Sequence, residues 1–329
     1  MRASDRLSAS DPRRFGAAGV LSFGLGLVVL AACGQEYREL PPVVLEDYRA
    51  EHDEWKQSRR NSLVTPPGGA VLWMGLHELP QGATAFGSDP DLPIVLPEAD
   101  APSMAGTLHR TGQEVRLEPA PGTQLFHVRG DVREPITGEM KLGNDRSEEP
   151  TRLALGSLGL RVHSEPGTDR LWLRVWDEDM AERETFTLPE YYPVDPAWHV
   201  SARFEPYPEP RELAVPDITG GTVIYETPGE LTFELDGEEH SLVAVATPTA
   251  TSYFLMIWDS TATTNTYQAG RYLRAPIADE DGWTTIDFNR TYNAPCVFTA
   301  FSVCAFPTRQ NWLPLYVTAG EQRPAKPAY

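Results

Sequence analysis

The chain has 329 residues, a formal charge of −19 and only three lysines. Such a surface repels nucleic acid and anionic headgroups, and with no basic stripe in the sequence a nucleic-acid partner is excluded. Its length exceeds what one hydrophobic core usually organises, so two packed units are expected.

Residues 1–32 read as a lipoprotein signal peptide: Arg13 and Arg14, an apolar run over 15–30, then Leu30-Ala31-Ala32-Cys33. Lipid on the Cys33 thiol would tether the mature chain to a membrane, each buried CH₂ adding about 0.8 kcal/mol. The alternatives are a plain signal peptide cut nearby and an uncleaved anchor, for which this run is slightly short and glycine-rich. Residues 33–43, polar and holding Pro41-Pro42, read as a tether.

Over 44–60, Leu45, Tyr48, His52 and Trp55 step by three and four, which predicts one amphipathic helix laid on a domain. After Ala70 the pattern changes to short apolar or alternating runs between Gly, Pro, Asp and Asn. Examples are 70–76, 158–163, 171–176, 199–204, 231–235, 240–246, 253–258, 267–273 and 284–288. That spacing predicts an all-β fold of antiparallel sandwich or barrel units with a single N-terminal amphipathic helix. Asp236-Gly237 predicts a tight hairpin turn, and 165–168 another. Residues 205–216 carry Pro206, Pro208, Pro210 and Pro216 and read as a semi-rigid connector between a unit at 44–204 and a unit at 217–323.

Three groups of side chains are singled out. With Cys33 lipidated, Cys296 and Cys304 remain as a pair, expected to form a disulfide that staples a loop in an oxidising compartment; two free buried thiols are the alternative. On 171–176, Trp172, Arg174 and Trp176 share one face, an aromatic platform for sugars if open and a packing surface if covered, with Arg174 then paired to Asp177 or Glu184. Nearer the C-terminus, strand alternation puts Asp287 and Asn289 on one face. A turn at 278–282 would bring Arg271 opposite Asn289, with Tyr267 on the same face and Tyr292 and Asn293 following. This constellation suits a polar ligand or general acid–base chemistry, or a hydrogen-bonded network that fixes an irregular loop.

No nucleophile elbow, HExxH helix or P-loop occurs, and 279–282 lacks the ligand spacing of a calcium loop. Neither a metal nor a cofactor is expected.

Several stretches together resemble a bacterial family known as domain of unknown function 1684. They are Phe86-Gly87-Ser88-Asp89-Pro90 with Ile94-Val95-Leu96-Pro97, then Leu173-Arg174-Val175-Trp176-Asp177, then Gly270-Arg271-Tyr272, Asp287-Phe288-Asn289 and Tyr292-Asn293-Ala294-Pro295-Cys296. Asn311 and Gly320-Glu321 complete the set. Ala294 and Ala305 stand where the resemblance implies proline. It spans roughly Trp55 to Glu321 and adds Asn311 and Glu321 to the candidate site residues; it implies a fold but no activity. Gly87-Ser88-Asp89-Pro90 with Ile94-Val95-Leu96 also resembles the opening strands of a forkhead-associated sandwich. The phosphate-gripping residues of that module are missing, so the resemblance implies only the scaffold.

Taken together, the sequence points to a lipid-anchored protein of the cell envelope, facing the periplasm or exterior. Its expected role is that of a non-catalytic binding or structural module for a small polar or glycan-like ligand. The competing reading is a hydrolase or transferase built on Asp287 and Arg271.

Overall fold

A computed structural model describes residues 37–324. The signal peptide at 1–32, Cys33 and the start of the tether lie outside the described residues. Where the tether is described it is held: Tyr37 Oη donates to Glu239 at 2.8 Å and Arg38 pairs with Asp279 at 2.8 Å.

Helix α1 (Leu45–Val64) occupies the expected stretch and runs four residues further. Tyr48, His52 and Leu63 are buried along its stripe, whereas Leu45 is exposed. The sequence reading groups this helix with the N-terminal β unit; its stripe instead meets Asp287, Tyr191, Asn293 and Glu321 of the C-terminal half.

The N-terminal half is built from β1 (Trp73–Glu78), β2 (Gly82–Gly87), β3 (Ile94–Val95), β4 (Gly106–Thr111), β5 (Glu114–Pro119), β6 (Leu125–Arg129), β7 (Val132–Pro135), β8 (Met140–Leu142), β9 (Arg152–Leu155), β10 (Leu158–Ser164) and β11 (Leu171–Asp177). They form a sheet in the order β1-β11-β10-β9-β6-β7 and a second in the order β3-β2-β4-β5-β8. Leu160, Val162, Leu173 and Val175 of the first sheet share one core with Phe86, Leu108, Val115 and Leu117 of the second, which makes this half a sandwich. The turn at 165–168 joins β10 to β11, with Gly167 at φ 65°.

A four-residue helix, α2 (Glu182–Thr185), precedes the C-terminal half. There β12 (His199–Pro216), β13 (Thr222–Leu235), β14 (Glu238–Ala244) and β17 (Trp283–Asp287) form a sheet ordered β14-β13-β12-β17. Against it packs a sheet ordered β18-β16-β15-β19, from β15 (Ser252–Asp259), β16 (Arg271–Pro276), β18 (Tyr292–Asn293) and β19 (Trp312–Leu313). Ala202, Leu231, Phe233 and Leu242 face Leu255, Ile257 and Leu273 across the core. Asp236 and Gly237 both take positive φ, 55° and 77°, as the two-residue hairpin between β13 and β14 requires.

Two expectations are corrected here. Residues 205–216 are not a connector but the second part of β12, paired to β13, and the described residues belong to one compact unit. The prolines are tolerated because β17 pairs only with 199–203 and the β12–β13 register breaks between Pro206 and Arg211. A residue without an N–H costs no ladder bond where the ladder is absent. The expected hairpin of 267–273 with 284–288 does not form either. β16 begins only at Arg271, after Gly270 at φ 98°, and β17 pairs with β12. Among the described residues no helix is long and apolar enough to cross a membrane.

Candidate functional site

Asp287 closes β17, and its Oδ1 accepts the Asn289 N–H at 3.1 Å, capping the 3-10 turn Phe288–Arg290. That turn, rather than strand alternation, keeps Asp287 and Asn289 together: Asn289 Nδ2 lies 3.1 Å from Asp287 Oδ1 and 2.8 Å from the Asp195 carbonyl. Helix α1 supplies the other side. Tyr48 Oη donates to Asp287 Oδ1 at 2.9 Å, and His52 Nε2 lies 3.0 Å from Asp287 Oδ2. The His52 ring is fully buried, with Nδ1 2.9 Å from the Tyr48 carbonyl one helical turn back, so each of its nitrogens faces an oxygen acceptor. Arg290 Nε sits 3.2 Å from Asp287 Oδ2.

These contacts set the local electrostatics. Burial alone would push the Asp287 carboxyl up, but the bond and charge from His52, the nearby His199 and the Tyr48 hydroxyl outweigh it and hold it below the usual range. The Tyr48 phenol is pushed up by burial and by Asp287. Burial lowers His199 below its ordinary value, against the opposing charge of Asp287. Its ring stacks on Tyr48 at 5.9 Å and makes no hydrogen bond among the described residues. Tyr48, His199, Asp287 and Arg290 line an open cleft of about 390 Å³, with Asp47 and Glu51 of α1 along one wall.

Arg271 does not join this site. β16 pairs it with Asn293 rather than Asn289, and its fully buried guanidinium bonds to Asp259 Oδ2 at 2.8 Å and to the carbonyls of Ala319, Glu321 and Val317 at 2.6, 3.1 and 3.3 Å. The expected convergence of Arg271 with Asp287 is thus wrong, because each strand takes a different partner. Glu321 is likewise consumed: Tyr191 Oη and Arg59 Nε bond to Oε1 at 2.7 and 3.1 Å, and the Asn293 N–H to Oε2 at 2.8 Å. Asn293 Nδ2 donates to the Gln322 carbonyl. Asn311 accepts from Val243 N–H at 2.7 Å and donates to its carbonyl at 3.0 Å, standing in for a missing strand beside β14. Tyr292 lies under the Arg59 guanidinium, 4.6 Å from its ring centroid. Tyr267 is buried, its hydroxyl 3.9 Å from Cys296 Sγ.

Cys296 and Cys304 are neighbours but not bonded: both are free, buried thiols, a correction to the expected staple. Cys304 Sγ accepts the Cys296 N–H at 3.0 Å and lies 3.3 Å from Ser302 Oγ. Cys296 is pushed up by its bond to Cys304 and by burial. Burial opposes Cys304 too, but bonds from Cys296 and Ser302, with Arg174 nearby, bring it below its ordinary value.

The aromatic platform is also corrected. Trp172, Arg174 and Trp176 are all buried, so their face is covered rather than open. Arg174 pairs with neither Asp177 nor Glu184; it donates to the Phe301 carbonyl at 3.2 Å and lies 3.7 Å from the Trp73 ring centroid, and burial lowers its pKa to about 9.

Sequence reasoning missed Tyr48, His52, His199, Arg290 and Asp259 as polar partners. A histidine within an otherwise core-facing helical stripe was the available signal for His52. For Asp259 it was alternation: Leu255, Ile257 and Asp259 point to one face, and a carboxylate on a core face demands a buried cation.

The molecule is therefore an all-β protein whose C-terminal half carries a partly open polar cleft beside a set of closed polar networks. That half is where a family model matches. A family model described as "Protein of unknown function (DUF1684)" matches residues 184–322, so this part of the chain is similar to that family. The match is shorter than the resemblance implied, leaving 86–97 and 173–177 outside it. A solution NMR structure of an uncharacterized protein from Haloarcula marismortui is 34% identical, covering 43% of this chain and 79% of that one, with a TM-score of 0.36. No curated protein matches.

Proposed function

We propose that this chain is a lipid-anchored protein of the cell envelope that binds a small polar ligand in the cleft beside α1 and performs no chemistry on it. The supporting observation is the cleft itself: it is lined by an unbonded imidazole, His199, and by the partly exposed guanidinium of Arg290, which also faces Asp287 and Glu51. Arg290 suits an acidic group on the ligand, and Asp47 and Glu51 suit hydroxyl or amino donors, which together describe a glycan fragment bearing a carboxylate.

Catalysis is disfavoured by the same geometry. Asp287 is a weak base, its carboxylate already engaged by Tyr48, His52 and Arg290. Tyr48 is a poor nucleophile because its phenol is raised, and His199 has no carboxylate bonded to it to fix its tautomer.

Thermal melting with an N-acetylmuramyl dipeptide, over a concentration series, tests the reading. A ligand at a hundred times its Kd stabilises by about 2.7 kcal/mol. Arg290→Ala should abolish that shift; because Arg290 also pairs with the largely buried Asp287, the unliganded variant is melted beside the parent and each ligand shift is read against its own baseline. A shift retained in the variant, or absent in the parent protein across such fragments, refutes the site. The anchor is tested separately: Cys33→Ser should move the protein out of the membrane fraction, and unchanged partitioning refutes it.

A further inference from the structure

At the seam of the two β halves, the turn at 165–168 rests on β13 and on the turn at 217–221. The Ile224 N–H donates to the Pro166 carbonyl at 3.1 Å. Gly167 approaches so closely that a Cβ there would stand 2.3 Å from Ile224 Cβ. Two carboxylates, one from each half, meet at this contact. The side chains of Glu165 and Asp217 are 1% and 0% exposed, and both flank one guanidinium: Arg170 Nη1 is 3.2 Å from Glu165 Oε2 and 3.7 Å from Asp217 Oδ2.

Asp217 Oδ1 is fully used, accepting the Thr219 N–H and hydroxyl at 2.6 Å each and the Gly221 N–H at 3.1 Å. Glu165 Oε1, Glu165 Oε2 and Asp217 Oδ2 have no hydrogen-bond donor. Two ionised carboxylates beside one Arg would leave a buried negative charge uncompensated, at a cost that a shared proton removes.

We propose that Glu165 retains its proton and donates it to Asp217 Oδ2, forming a proton-linked latch that docks the two β halves and loosens as pH rises. Burial pushes the Glu165 carboxyl up; Arg170 pulls it down, and the neighbouring Asp217 adds to the rise. The surrounding charged groups are few. Arg146 bonds to the Ser164 carbonyl, Glu78 of β1 lies 3.7 Å beyond Arg170, and Tyr225 faces the pair from β13. Arg211, Glu212 and Glu226 line the groove beside Gly167. A group raised on folding contributes stability fully below its unfolded pKa, and that contribution disappears as pH passes its folded value. The latch therefore weakens on the alkaline side.

Amide hydrogen exchange of the full-length chain from pH 5 to 8.5, corrected for intrinsic rates, reads the latch at the Ile224 N–H. Protection there should fall at least tenfold with rising pH relative to the core amide of Leu231. In Glu165→Gln, which keeps a neutral donor, it should stay flat. A pH-independent Ile224 in the parent chain, or an unchanged fall in the variant, overturns the proposal. Carboxyl ¹³C titration of the parent chain is independent of whether the variant folds, and a Glu165 that ionises at or below the ordinary range also overturns it. So does recovery of Ile224 protection at pH 8 by millimolar calcium, which would make the pair a cation site instead.

Discussion

Asp259→Asn probes whether the buried network around Arg271 is the structural core it resembles. In the parent protein Asp259 Oδ2 receives Arg271 Nη2 at 2.8 Å, while Oδ1 receives the Thr261 N–H at 3.0 Å, the Thr261 hydroxyl at 2.5 Å and the Val317 N–H at 3.3 Å. An amide can keep the Oδ1 bonds but turns an NH₂ toward the guanidinium. Arg271 is then a fully buried cation held only by carbonyl oxygens. Breaking a buried pair in this way costs about 3–5 kcal/mol. For a unit of this size each kcal/mol lowers Tm by roughly 2–4 °C, so a fall of about 6–20 °C is expected. Circular-dichroism melts and urea titration measure it. The double variant Asp259→Leu with Arg271→Met removes the stranded charge and should lose less than the two single variants summed, although the carbonyls of Val317, Ala319 and Glu321 then lack their donor. A single-variant loss below about 1 kcal/mol, or a double variant at least as unstable as the sum, refutes this account.

Two further outcomes follow from the same packing. Asp287 has a depressed pKa, so its contribution is complete above its unfolded value near ~4 and is lost as pH falls through the lower folded value; Asp287→Asn should flatten the acid limb of a Tm–pH curve, and an identical limb in both proteins counts against the His52–Asp287 pair. Gly159→Ala places a Cβ 2.0 Å from the fully buried Trp176 ring and should destabilise by about 1–3 kcal/mol or more, measured by urea unfolding; a neutral result would mean the Trp face is as open as a binding platform.

Much of the fold is legible from local pattern, because the helix stripe and the hairpins are local devices. Tyr48, His52 and Trp55 carry the 3.6-residue period, and Asp236-Gly237 supplies the two positive φ values its turn needs. Strand pairing is not local. The hairpin expected between β16 and β17 loses to β12, whose residues 199–203 take β17 instead, and with that choice Arg271 and Asp287 part company. Composition misleads at 205–216 for a related reason: proline density marks missing ladder bonds, and a bulged strand edge lacks them as surely as a linker does. The Trp172 face shows the third limit, since alternation tells which side chains share a face but not that the Phe301 carbonyl and the Trp73 ring close over Arg174 there.

The distribution of polar side chains in the C-terminal half has one physical cause. Between Phe288 and Gln322 the only strands are β18 and β19, two residues each, so most backbone groups there lack a sheet ladder. Buried N–H and C=O groups must still be paired. Arg271 meets the carbonyls of 317, 319 and 321, Asn311 takes both polar groups of Val243, and Glu321 and Asn293 tie 293 to 321 and 322. A dense set of Arg, Asn and Glu in such a segment is thus first a substitute for missing β-ladder. What separates a site from this background is valence left over beside solvent. Arg271 and Glu321 spend their charges on interior partners, whereas His199 and Arg290 line an open cleft with an unbonded ring and a guanidinium, shared with Asp287 and Glu51, that reaches solvent; the proposed ligand would compete for those partly exposed groups rather than for the bonds of the interior.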